Sequence, residues 1–284
     1  MLFLGAIVQT ISYADVADPV AANDGWLDLQ KELQSAAPQV ASYEIQDAVP
    51  LAWERKKHPE RKLWSEYAES VVNQYFSELN QAEDIPEFCK DYESLSREQK
   101  VQALADVFAS ISYWEAGWDP LDRTAGPGLD DLTHEKSMSE GLLQLSYSDM
   151  DSYRDLQTNQ SYCPFDWEKD KTLSTQDVHR SILNPYVNLY CGIRIMADSV
   201  VTNVIQGKRK LIYNEYWDTM GPFQMKNFFP NRANEIKGMV QKLPFCGGRH
   251  WVTPQGLFLK TWNMTQKAIK HAGEPEQHVE ESNE

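Results

Sequence analysis

The clearest order along the chain is a helical spacing of apolar residues. Leu63, Tyr67, Val71, Tyr75 and Leu79 recur every four residues, which predicts a helix from Arg61 that Pro86 closes. A second helix starts at Ser96, where Ser96 and Gln99 fit a capping box. Val101, Leu104, Ala105, Phe108, Ile111 and Ser112 follow at helical intervals, and Gly117 and Pro120 end the segment. Asn184-Pro185 reads as another start, an Asn cap with proline at the first helical position. Leu189, Ile193, Met196 and Val200 form its stripe, and one or two further helices are expected within 209–242. Residues 121–140 are rich in Gly, Asp, Thr and Ser and read as a long loop holding the best of the few strand candidates. The expected class is mostly α, without repeats.

Both ends depart from this pattern. Residues 1–14, MLFLGAIVQTISYA, carry no charged side chain and contain a short apolar run from Leu2 to Val8. Ser12-Tyr13-Ala14 places small residues where a signal peptidase reads, so a secretory signal cleaved after Ala14 is expected, although no Lys or Arg precedes the run. The run is too short to span a bilayer. Export, to the periplasm or outside the cell, is the expected localisation. Residues 15–60 are mixed and contain several prolines, and read as an N-terminal arm, partly helical, packed on a main domain of residues 61–270. Five glutamates fall in the eleven residues from Glu274, so 271–284 read as a solvated, disordered acidic tail.

Composition narrows the function classes. The 284 residues are 42% hydrophobic and 24% charged, ordinary globular values. Asp plus Glu number 42 against 27 Lys plus Arg, a formal net charge of -15. That balance argues against binding nucleic acid, whose phosphates need a basic face, and against anionic lipid. Cys89, Cys163, Cys191 and Cys246 are widely spaced with no C-x-x-C, which argues against a structural zinc site. In an exported chain they suggest two disulfides, for which three pairings exist. Cys163–Cys191 is the expected bond, which leaves Cys89–Cys246, and the other pairings stay open. His134-Glu135 lacks the second His of a zinc-protease helix, and neither G-x-S-x-G nor a phosphate-binding Gly loop occurs. No metal or cofactor is implied.

Glu115 is the candidate catalytic residue. It lies four residues after Ile111 and seven after Phe108, so it continues the apolar stripe of its helix. Trp114 and Trp118 flank it. A carboxylate on an apolar face among aromatic rings is poorly solvated when charged, so it should retain its proton towards neutral pH. A general acid for glycosidic cleavage needs that property. A helix-end Glu turned to water or paired with an Arg is the bland alternative.

The surrounding motifs are similar to those of the soluble lytic transglycosylases. Residues 112–120, SYWEAGWDP, resemble the family's catalytic Glu at a helix end before an "S-G-[FWY]-[ND]-P"-like stretch. Ser139-Glu140-Gly141-Leu142-Leu143-Gln144-Leu145 resembles its "S-x-G-L-[ML]-Q-[IL]" segment. Asn184-Pro185 with Asn188 and Gly192 resembles its "[ND]-P-x-x-N-[IL]-x-x-G" helix, and Tyr216-Trp217 falls where the family carries a late active-site Tyr. The resemblance spans about residues 95–225. It implies a lysozyme-like helical domain that cleaves peptidoglycan strands between N-acetylmuramic acid and N-acetylglucosamine. It implies Glu115 as the single acid and then base, and Gln144 as a hydrogen-bond partner of sugar or N-acetyl groups. Ser139 and Gly141 would shape the cleft wall, Asn188 would support it, and Tyr216 would orient Glu115 or the substrate. Ala116 stands where the family usually has Ser, and Tyr213-Asn214-Glu215-Tyr216-Trp217 replaces its Tyr-Asn-Ala-Gly run. Tyr213 is therefore a second candidate for the active-site Tyr; Tyr216 is preferred because divergent members carry a Tyr-Trp pair.

Two rival functions remain open. A hydrolase on the same fold needs a second carboxylate as base, and Asp130, Asp131, Glu135 and Glu140 are near Glu115 in sequence. Their bland reading is a solvated acidic loop. A non-catalytic glycan-binding module of an envelope assembly is the rival from another class. Trp118, Trp167 and Trp217 could stack on sugars or serve the core. Protein partners are unreadable.

Overall fold

The computed structural model describes residues 24–55, 58, 61–211, 216–217 and 232–247. The expected signal peptide, the acidic tail and Tyr213 lie outside the described residues. The described chain is mostly α, with nine helices, α1 (Asp24–Ser35), α2 (Lys62–Gln74), α3 (Phe76–Leu79), α4 (Ile85–Phe88), α5 (Arg97–Ala116), α6 (Asp149–Ser152), α7 (Trp167–Asp170), α8 (Pro185–Thr202) and α9 (Arg232–Val240). Two antiparallel hairpins accompany them, β1 (Arg123–Leu129) with β2 (Lys136–Glu140), and β3 (Val204–Ile205) with β4 (Lys208–Arg209).

Helix α5 is the axis of the core. Its start is the expected reciprocal cap: Ser96 Oγ accepts from the Gln99 N–H at 3.3 Å, and Gln99 Oε1 accepts from the Ser96 N–H at 3.1 Å. From Val101 to Ser112 every residue is buried, so the helix has no solvent face over that length. It packs against α2 and α9, while α8 packs against α1, α2 and α3. Asn184 starts α8 as expected, its side chain accepting from the Tyr186 and Val187 N–H groups at 3.0 and 3.4 Å. Its amide nitrogen also donates to Leu33 O at 2.7 Å, tying α8 to the end of α1.

The long helix expected from Arg61 to Pro86 is three helices. Tyr75 leaves helical geometry between α2 and α3, and its hydroxyl meets that of Tyr190 on α8 at 2.8 Å. Pro86 sits in the first turn of α4, where its missing N–H needs no partner, and so does not close the earlier segment. Residues 121–140 are not simply a loop, because they hold the β1–β2 hairpin. Strand β1 is mostly exposed and β2 mostly half-buried, and no alternation of apolar residues announces them. Arg123, opposite Glu140 in the register, and Arg180 both bind the buried Glu140 carboxylate, Arg180 Nη1 at 3.1 Å.

The arm is part of the core. Leu51 and Trp53 are fully buried. The Ala52 N–H donates to Asp106 Oδ1 on α5 at 2.6 Å, and Arg55 joins Asp106 Oδ2 at 2.6 Å to Met239 O on α9 at 2.8 Å. The disulfides are Cys89–Cys246 and Cys163–Cys191, the expected pairing. Among the described residues no helix is long and apolar enough to cross a membrane. The disulfides are compatible with a non-cytoplasmic location.

Three buried carboxyls dominate the pH response of this core. Burial pushes Glu69 up to about 7, Asp106 up to about 6 despite Arg55, and Asp149 up to about 6. Each binds its proton more tightly folded than unfolded, so its contribution to stability falls as pH rises from the ordinary carboxylate value through the folded one. The urea midpoint is expected to fall between pH 4.5 and 7.5. Glu69→Gln, which keeps an acceptor for the Gln102 amide now 2.9 Å away, should flatten the part of that fall nearest pH 7. A midpoint that rises over this range in the wild type would contradict the assignment.

Candidate functional site

Glu115 is the penultimate residue of α5. Phe108 and Ile111 of its stripe are buried, and Glu115 is half-buried, at the point where the helix leaves the core. Gly117 ends the helix in the left-handed region at φ 60°, a conformation glycine tolerates without strain. The Trp118 N–H then reaches back to Ser112 O at 3.3 Å, which closes the helix end. Trp118 turns under the helix, its Nε1 donating to Ala109 O at 2.7 Å. Tyr113 packs on both Trp118 and Trp114, with ring centroids 4.7 and 5.1 Å apart. The aromatic surroundings expected for Glu115 are present, but Trp118 is a core residue and no sugar platform.

The segment after the hairpin forms a tight turn. Glu140 and Leu145 exchange backbone hydrogen bonds of 2.7 and 3.0 Å, enclosing Gly141–Gln144. Gly141 is required twice over. Its φ is 77°, and a Cβ there would lie 2.5 Å from Asn188 Nδ2 and 2.9 Å from Ile182 O. Asn188, fully buried on α8, holds the turn from behind. Its amide nitrogen donates to Glu140 O at 3.1 Å and Ile182 O at 2.9 Å, and its oxygen accepts from the Leu143 N–H at 2.8 Å. Asn188 therefore shapes the turn and is turned away from any ligand. Gln144 has φ 50°, and its Nε2 donates to Asp122 O at 3.2 Å and Gly141 O at 3.0 Å. The amide is thus fixed by its nitrogen, and among the described residues none donates to its oxygen. Ser139, half-buried, stands on β2 opposite Thr124.

These parts converge on the end of α5. Asp122, seven residues after Glu115, receives both Gln144 Nε2 and the Gly141 N–H, the latter at 2.9 Å. Trp217 is buried, and its Nε1 donates to Leu143 O at 2.9 Å. Leu143 in turn fills the space above Gly192, where a Cβ would lie 2.3 Å from Leu143 Cδ1. Tyr216 packs beside Trp217 and Tyr153, with centroids 4.8 and 5.5 Å apart. Burial above all, then the Asp149 charge, lifts the Tyr216 hydroxyl well above its ordinary value, and the charge of Glu115 adds to the shift. Tyr216 is therefore within electrostatic reach of Glu115, and its neighbour Trp217 is bonded to the Gly141–Gln144 turn. Trp217 serves the core, and Trp167, half-buried, packs on Tyr147 at 4.8 Å.

The four acids nominated as a second carboxylate have other employment or other surroundings. Glu140 is buried and held by Arg123 and Arg180. Asp130 is buried and accepts from the Leu132, Thr133 and Ser148 N–H groups at 3.0, 2.9 and 3.0 Å. Asp131 and Glu135 are exposed between the strands. The acid that the sequence did not single out is Asp149, at the start of α6. It is 5% exposed and accepts hydrogen bonds from the Ser146 N–H at 2.7 Å and from the Tyr216 hydroxyl. The Ser146-x-x-Asp149 spacing marks a turn at most; its link to Tyr216 spans 67 residues. Among the described residues no His, Cys, Asp or Glu group is arranged to hold a metal.

Comparison with solved structures gives one consistent likeness. The wild-type form of DslA from Bdellovibrio is 24% identical, over 71% of this chain and all of that one, with a TM-score of 0.52. Two DslA variants, each with a different glutamate changed to glutamine, match at 24% and 23% identity over the same shares, with TM-scores of 0.53 and 0.52. The likeness shows a shared fold. No family model and no curated protein matches the sequence.

Gly141→Ala should force a left-handed alanine against Asn188 and the Ile182 carbonyl. Overpacking of this kind costs about 1–3 kcal/mol, measurable as a lower urea midpoint with an unchanged slope. A variant as stable as the wild type would remove Asn188 as the support of the turn.

Proposed function

We propose that the protein is a peptidoglycan lytic transglycosylase, exported from the cytoplasm, with Glu115 as its acid and base. The observation that carries this reading is the placement of Glu115. It emerges half-buried at the end of a buried helix, next in sequence to the Trp114–Tyr113–Trp118 ring cluster, and its charge reaches Tyr216. The motifs on which the family resemblance rests supply Glu115, Gln144 and Tyr216 from three separate stretches of chain.

In this reading Glu115 protonates the glycosidic oxygen as the bond to the N-acetylmuramic acid anomeric carbon breaks. The substrate's own N-acetyl group stabilises that carbon, so no protein nucleophile is needed. The ionised Glu115 then removes the proton from the muramic acid 6-hydroxyl, whose oxygen closes the 1,6-anhydro ring. The proton balance returns Glu115 to its acid form. Gln144 Oε1 is placed to accept from an N-acetyl N–H or a sugar hydroxyl. Because the protein is strongly acidic and its substrate carries carboxylates, binding relies on hydrogen bonds and stacking more than on charge.

A hydrolase would need a second carboxylate to activate water, about 6.5–9.5 Å from the acid in an inverting enzyme or about 5–5.5 Å as nucleophile in a retaining one. Glu140 and Asp130 are committed to Arg123, Arg180 and backbone N–H groups. This favours the transglycosylase over the hydrolase.

The test is mass spectrometry of the soluble products from purified peptidoglycan. Anhydro-muropeptides are expected from the wild type, and Glu115→Gln should lower their rate by at least about 100-fold, the scale of a lost general acid. Reducing-end muropeptides would move the chemistry to hydrolysis. Sugar binding without any product would leave a glycan-binding module.

A further inference from the structure

The Asp149–Tyr216 pair reaches the site through Tyr216, and Asp149 has no role in the chemistry just described. Asp149 starts α6, directly after the segment that continues the Gly141–Gln144 turn. It is buried, and its Oδ2 accepts both the Ser146 N–H and the Tyr216 hydroxyl. The Tyr216 ring is fixed on two sides by Tyr153 and Trp217. A phenol has one proton to give. With that proton committed to Asp149, the Tyr216 oxygen can only accept from any other group.

We propose that Asp149 is a positioning residue for cleavage, which orients the Tyr216 hydroxyl so that it serves Glu115 in its proton-bearing form. The proposal rests on the reading of Glu115 as the acid. A neutral carboxylic acid has a proton to donate to an accepting oxygen, whereas a carboxylate facing that oxygen meets only lone pairs. Once Asp149 is itself protonated, its own O–H can donate to Tyr216. The phenol proton is then released, and the preference for the acid form of Glu115 is lost.

The charged and titratable groups around the pair are few. Asp130 faces Asp149 and raises it, while Tyr216 and the Ser146 N–H lower it. Tyr153 and Glu115 face Tyr216. Burial, the largest cause, brings Asp149 to about 6. Activity should therefore decline on the acid side as Asp149 takes up its proton.

The experiment uses the full mature protein on purified peptidoglycan, comparing the wild type, Asp149→Asn, Tyr216→Phe and the double variant across pH 4.5–8. Tyr216→Phe keeps the ring between Tyr153 and Trp217 and removes only the hydroxyl. Asp149→Asn is expected to lower kcat/KM on the order of tenfold to 100-fold and to abolish the acid-side decline near pH 6. In the Tyr216→Phe background it should cost nothing further, because the group through which it acts is gone. An Asp149→Asn enzyme with wild-type rate and pH profile would overturn the proposal. So would an equal loss in both backgrounds, the mark of a purely structural role. A wild type that yields no product overturns the reading of Glu115 first, and this role with it; retained cleavage with an indifferent Asp149 overturns this role alone.

Discussion

A helix with no solvent face has to find partners for its polar side chains inside the protein, and α5 imposes that demand on everything around it. Asp106 and Gln102 sit in its buried middle. Asp106 is met by the Ala52 N–H and by Arg55, which also reaches α9. Gln102 is met by Glu69 on α2 and by the Val49 carbonyl at 3.3 Å. An unpaired buried carboxylate would be strongly destabilising, so the arm at 49–55 is held in place by the needs of the helix. Beyond that buried stretch α5 comes back to the surface at its C-terminal end, and Glu115 stands there.

What the sequence made legible was local. Ser96 and Gln99, Gly117, and Asn184-Pro185 each act within a few residues, and each helix end stands where those residues place it. The spacing from Phe108 to Glu115 was informative for the same reason. The β1–β2 hairpin was not, because its strands lack apolar alternation and are tied through Arg123, Glu140 and Arg180, a contact that spans 40 residues. Tyr75 looked like one more member of an apolar stripe; it stands at the break between α2 and α3, and its hydroxyl meets that of Tyr190. Trp53 carried no pattern, yet it is a wall of the core, its Nε1 donating to Ser65 at 2.7 Å.

The candidate site shows the same division more sharply. Glu115, Gly141, Gln144 and Asn188 could be named from short motifs. Their separate duties could not: Asn188 supports the turn from behind, while the Gln144 amide is tied by its nitrogen to Asp122 and Gly141. The acids are harder still. Glu140, Asp130, Asp131, Glu135 and Asp149 are chemically alike as letters. Burial and partners separate them into an arginine-bound anchor, a turn former, two solvated groups and a buried acceptor for a phenol. The arginines of Glu140 and the phenol of Asp149 are not readable from neighbouring residues.

The Cys89–Cys246 bond joins positions 157 residues apart, from the end of α4 to the segment after α9. Closing so long a loop removes conformational freedom from the unfolded chain, by about 5 kcal/mol in the chain-entropy description. That is of the order of the entire net stability of a domain this size. The chain before oxidation and the chain after it are thus thermodynamically different molecules. Completion of the fold is tied to an electron acceptor, and the redox poise of the compartment decides how much of the protein stands ready to act.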